Sequence, residues 1–81
     1  MNDTLFDTAI IGAKYIDQLA RVNAAKQRVA DLEAALHHTG GMDIGLNTEF
    51  ENAERTLKYS THRLSDIAKA LTVVAKALAA Q

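Results

Sequence analysis

Residues 46–78 read LNTEFENAERTLKYSTHRLSDIAKALTVVAKAL. Phe50, Leu57, Leu64, Leu71 and Leu78 return every seven residues, and Ala53, Ser60, Ile67 and Val74 follow the first four of them at a spacing of three. Leu46 extends the series by one step before Phe50, and Ser60 is its single polar member. Apolar residues at a period of about 3.5 specify a helix that packs lengthwise against another helix. The stretch therefore predicts one long helix with a continuous apolar seam.

Upstream, a second seam runs through Ile11, Tyr15, Val22, Ala25, Val29, Leu32 and Leu36. Thr8 and Gln18 are polar entries on the same heptad, and Leu5, Gly12 and Leu19 flank it and widen the face. Proline is absent, and Gly40-Gly41 follow His37-His38, where a left-handed residue stops a helix without steric penalty. The expectation is an all-α fold, one domain over residues 1–81: a helix over about 4–38, a loop over 39–47 and a helix over about 48–80, antiparallel as a helical hairpin. Thr4 with Asp7 reads as a weak cap for the first helix, and Thr48 with Glu51 as a capping box for the second. Met42, Ile44 and Leu46 alternate with polar or small residues and are expected to fold back and plug the closed end. Gly12, inside the first helix, sacrifices about 1 kcal/mol relative to alanine, so a close helix contact is expected there.

The charges suit this pairing. Asp3 and Asp7 would lie beside the end of the second helix with its Lys69 and Lys76, and Glu49, Glu51 and Glu54 beside Arg28 and the two histidines. Both helix dipoles and cross-helix attraction favour that orientation. The net charge of −1 gives the whole chain no general attraction to nucleic acid or anionic membrane. The lack of cysteine excludes disulfides and thiolate metal sites and fits a cytosolic protein. No run of apolar residues is long enough to span a bilayer, and Met1-Asn2-Asp3-Thr4 has no basic lead, so the expected location is cytoplasmic, or secreted without a cleavable signal peptide.

The chain carries more apolar surface than one seam per helix uses. Phe6, Ile10, Ala13, Ala20 and Ala24 form a second line on the first helix; Ala70, Val73, Ala77 and Ala80 do so on the second, with Tyr59 further along. Both lines gather at the open end, where the termini lie. A helix apolar on all sides is normally covered on all sides. The hairpin is therefore expected to assemble into a four-helix bundle or coiled-coil oligomer, with itself as a homodimer or with a heterologous helical protein. The expected contact residues are Phe6, Ile10, Ala13, Tyr59, Ala70, Val73 and Ala77.

Catalytic and metal chemistry find little support. His37 and His38 are adjacent, so on a helix they point about 100° apart, and His62 belongs to the other helix. Ser60 and His62 face different ways, and no glycine-rich phosphate loop occurs. The expectation is a protein that is not an enzyme and needs no cofactor or metal: a small adaptor, inhibitor, chaperone or assembly subunit. A different reading follows from Lys14, Arg21 and Arg28, which recur every seven residues, as do Arg55, His62, Lys69 and Lys76. Such stripes can track phosphates, and the dimeric hairpin that would present them is similar in architecture, though not in motif, to the plasmid primer-repressor proteins, which bind RNA.

Overall fold

The computed structural model describes residues 3–81. It is an all-α helical hairpin of two helices of equal length, α1 (Asp3–His38) and α2 (Ile44–Ala79). Its extents are 60 × 14 × 14 Å and its radius of gyration 18.0 Å, against about 12 Å for a compact domain of this length. The molecule is a rod, and a rod of two helices has almost no interior. Among the described residues only Val22, Leu32, Ala53 and Gln18 are buried, and none of them completely.

The seam nevertheless lies where the heptads put it. On α1 Thr4, Thr8, Ile11, Tyr15, Gln18, Val22, Ala25, Val29, Leu32 and Leu36 are buried or half-buried, and on α2 so are the ten positions from Leu46 to Leu78. Among the other described residues only Gly12, Ala35, Asn47 and Ala68 are half-buried, each of them next to the seam. Polar entries in the seam find hydrogen-bond partners, one local and one across the hairpin. Thr8 Oγ1 donates to the Thr4 carbonyl at 2.7 Å. Gln18 Nε2 crosses the hairpin and donates to the Ser60 carbonyl at 2.9 Å. A buried amide bonded to one particular carbonyl penalises sliding of the helices, so this pair holds the register.

The closed end is built by two complementary caps. Gly40 and Gly41 adopt φ of +68° and +76°. The Gly40 amide donates to the His37 carbonyl and the Gly41 amide to the Leu36 carbonyl, the paired bonds of a Schellman ending. Asp43 then caps α2: its backbone is extended, and its carboxylate accepts the Leu46 amide at 3.1 Å. Gly45 keeps that carboxylate unobstructed, since a Cβ there would stand 3.2 Å from Asp43 Oδ1. Asn47 Nδ2 donates back to the Gly41 and Asp43 carbonyls, tying the bend to the first turn.

Several expectations are corrected here. The second helix starts at Ile44, four residues before Thr48, so the Thr48–Glu51 pair is not a cap; Thr48 Oγ1 instead donates to the Ile44 carbonyl within the helix. The physical reason is that Asp43 captures the N-terminus first, and the earlier start carries Leu46 into the seam. Met42 and Ile44 do not plug the closed end; they are 84% and 82% exposed. Thr4 does not cap α1, which is already helical at Asp3; its hydroxyl accepts from Gln81 Nε2 at 2.9 Å and links the two ends of the described chain. A Cβ on Gly12 would meet nothing within 4 Å, so no close contact within the chain accounts for that glycine. Among the described residues no ion pair crosses the hairpin: Lys69 and Lys76 stand on the back of α2 by heptad position, Arg28 and Glu49 share a flank without pairing, and the one ion pair is Asp17–Arg21 along α1 at 3.1 Å.

Candidate functional site

A hairpin with one seam has two flanks and a back on each helix. One flank is defined by a groove of about 370 Å³ that Lys14, Asp17 and Arg21 of α1 share with Tyr59 and Arg63 of α2, floored by Gln18, Ser60 and Ile67. Nearer the bend Arg28, Glu49 and Thr56 line a second groove on the same flank. By the heptad spacing, Ala70 and Ala77 continue this flank on α2 toward the open end, beside Asp7 and Lys14 of α1. The opposite flank carries Leu5, Gly12, Leu19 and Lys26 on α1 and Ala75, Ala68, Thr61 and Glu54 on α2, counted from the open end toward the bend.

The two flanks differ in kind. Around Tyr59, which is 70% exposed, stand Lys14, Arg21, Arg55, Lys58 and Arg63, with His62 beside them; Asp17 and Asp66 are the acids within the group, and Glu51 and Glu54 border it toward the bend. Five of the nine lysines and arginines therefore gather in the middle of the rod around the exposed ring of Tyr59. The opposite flank has no such gathering at the open end. Leu5 and Leu19 lie along it more than a third exposed, and Ile16, 69% exposed, stands just outside them.

All seven expected contact residues are exposed. They do not form a single face. Ile10, Tyr59, Ala70, Val73 and Ala77 belong to the charged flank and its margin, and Phe6 and Ala13 to the back of α1. Tyr59 and Val73 are fourteen residues apart on one helix, about 21 Å. The patch missed by sequence reasoning is Leu5, Ile16 and Leu19. Its signal was present in the heptads: Leu5 and Leu19 were read as widening the seam, whereas two helices of this diameter leave that position at the rim.

The exposed large apolar residues are distributed unevenly along the rod. Leu5, Phe6, Ile10, Ile16 and Leu19 fall in the open half of α1, after which none occurs until Met42 at the bend. The accessible surface is 6034 Å² for an 8.8 kDa chain. Compact monomers of that mass expose about 4,800 Å², so the hairpin carries a surplus of about 1,200 Å².

Among the described residues no helix is long and apolar enough to cross a membrane, and no group of three or more histidines and acids is arranged to hold a metal ion. The chain matches no protein-family model, no curated protein and no solved structure at a significant level.

Proposed function

We propose that this hairpin is a non-enzymatic protein-interaction module, an adaptor, inhibitor, chaperone or assembly subunit, that packs apolar helix faces at its open end against helices of another chain. The observation that carries the reading is the surplus of exposed surface together with the five large apolar side chains crowded between Leu5 and Leu19. Monomeric proteins rarely leave contiguous apolar patches of several hundred Å² uncovered. Helix-in-groove recognition reads anchors at spacings of three, four and seven; Phe6 with Ile10 and Ile16 with Leu19 are such pairs, and Leu5 and Leu19 stand two heptads apart on one flank. Affinity capture from the source cell with the wild type, Phe6→Glu and Val73→Glu tests it. A partner retained in high salt and lost with a glutamate variant supports apolar docking. Indifference to both substitutions, in a wild type that stays monomeric, refutes it.

A second reading has its own support in the cations around Tyr59. A basic groove beside an exposed aromatic ring suits single-stranded nucleic acid, with phosphates on the cations and a base on the ring. Titration with a labelled single-stranded oligonucleotide decides it. Affinity should fall with salt at a log–log slope of about −0.7 for each phosphate engaged. Tyr59→Ala should weaken binding by about 1–3 kcal/mol, the value of one stacked base. Salt-insensitive binding, or none at low salt, removes this reading without touching the first.

A further inference from the structure

We infer that the apolar flank of α1 docks a second copy of this chain, antiparallel, about a two-fold axis beside Gly12. The inference rests on the reading of the hairpin as a protein-binding module and names the occupant of one of its faces.

The face is symmetric about its own midpoint. Leu5 and Leu19 lie seven residues to either side of Gly12, and Ala9 and Ile16 straddle it one position over on the helix surface. A two-fold axis at Gly12 lays Leu5 of one chain on Leu19 of the other, and the large Ile16 on the small Ala9. That is the self-complementarity an isologous contact requires. At the axis itself the two Gly12 residues meet. A glycine in a helix interior is unfavourable, and no group of its own chain lies within 4 Å of where its Cβ would be. An approaching backbone from outside gives the missing Cβ a purpose.

The extent of the face agrees. Antiparallel docking about Gly12 overlaps the two α1 helices over roughly 27 Å and leaves the closed ends projecting in opposite directions. The exposed positions of the projecting part of α1 are polar or alanine, from Lys26 to His38, as solvated surface should be.

The chain contains no cysteine, so single-cysteine variants report contacts cleanly. Chains carrying Leu5→Cys and chains carrying Leu19→Cys are mixed and oxidised, and the wild type is sedimented from low to several hundred micromolar. The expected result is a species of twice 8.8 kDa, with mixed 5–19 disulfides prevailing over like-with-like pairs. Ile16→Glu, a change at an exposed position, should return the chain to a monomer with its helical circular dichroism intact. Prevalence of 5–5 and 19–19 pairs overturns the antiparallel arrangement, and a dimer unaffected by Ile16→Glu overturns the face. A monomer at every concentration overturns the second copy as occupant, and the capture experiment above then decides the broader reading by itself.

Discussion

Substitution of Gly12 by alanine separates a free face from an occupied one by the sign of its effect. In the isolated hairpin the new Cβ meets nothing within 4 Å. The change then acts only through the backbone, replacing a poor helix former with the best, and stabilises by about 1 kcal/mol. For a domain of this length that raises Tm by about 4–8 °C. In the two-fold dimer the same methyl enters the contact twice, once from each chain, where the backbones stand closest, and overpacking of that kind costs about 1–3 kcal/mol. The assay is thermal unfolding followed by circular dichroism across a wide range of protein concentration, wild type beside variant. Dilute samples should show the variant ahead. Concentrated samples should show the wild type overtaking it, because dimer formation adds to wild-type stability by mass action and less to the variant. Curves that remain parallel, with the variant ahead by the same margin at every concentration, would refute close approach at Gly12.

The other predictions concern the hairpin itself. Asp43→Ala should destabilise by about 1 kcal/mol through loss of the α2 cap, whereas Thr48→Ala should lie within about 0.5 kcal/mol of wild type in urea titrations, because only Asp43 serves the helix terminus. Gln18→Ala should cost about 1–3 kcal/mol, since it removes both a bond to Ser60 and buried volume, while Gln18→Leu should be neutral or stabilising and should relax the register, seen as broadened amide resonances around Ser60. Met42→Ser and Ile44→Ser should leave the unfolding free energy in urea titrations unchanged within about 0.5 kcal/mol, as both side chains already stand in solvent.

The architecture was legible in the sequence because a heptad seam is a one-dimensional pattern with a single three-dimensional consequence. Leu57 and Leu64 lie half-buried as their spacing demands, and Gly40-Gly41 stop α1 where two glycines together predict. The start of α2 was harder to read. Asp43 and Thr48 are both capping residues, and the choice between them depends on tertiary packing, since only the earlier start brings Leu46 against α1. The tip failed for a related reason: the alternation of Met42, Ile44 and Leu46 resembles a folded-back plug, but once Ile44 is helical its side chain points away from the seam. The distribution of the exposed apolar residues over flanks was missed because Leu5 and Leu19 were counted as part of the seam, whereas their heptad position puts them at its rim, more than a third exposed. Ile10 and Ile16 are six residues apart and sit on different sides of α1.

Folding and assembly are coupled in a molecule of this shape. With four buried residues among those described, the hairpin draws its stability from a seam that stays partly wet along most of its length. The polar bonds in that seam supply definition: Gln18 to Ser60 in the middle and Thr4 to Gln81 at the open end fix how α1 and α2 lie against each other. A rod pinned in register presents its outer faces in a set geometry before any partner arrives, so less ordering remains to be done on binding. Covering the open half then shields the seam beneath it, and the partner's binding free energy becomes folding free energy. The consequence is local. Amide exchange should slow most in α1 between Leu5 and Leu19 when the occupied state forms, and least around Met42 and Ile44, at the far end of a 60 Å rod. Protection that rose evenly along both helices would mean that the partner stabilises the hairpin as a whole without contacting that face.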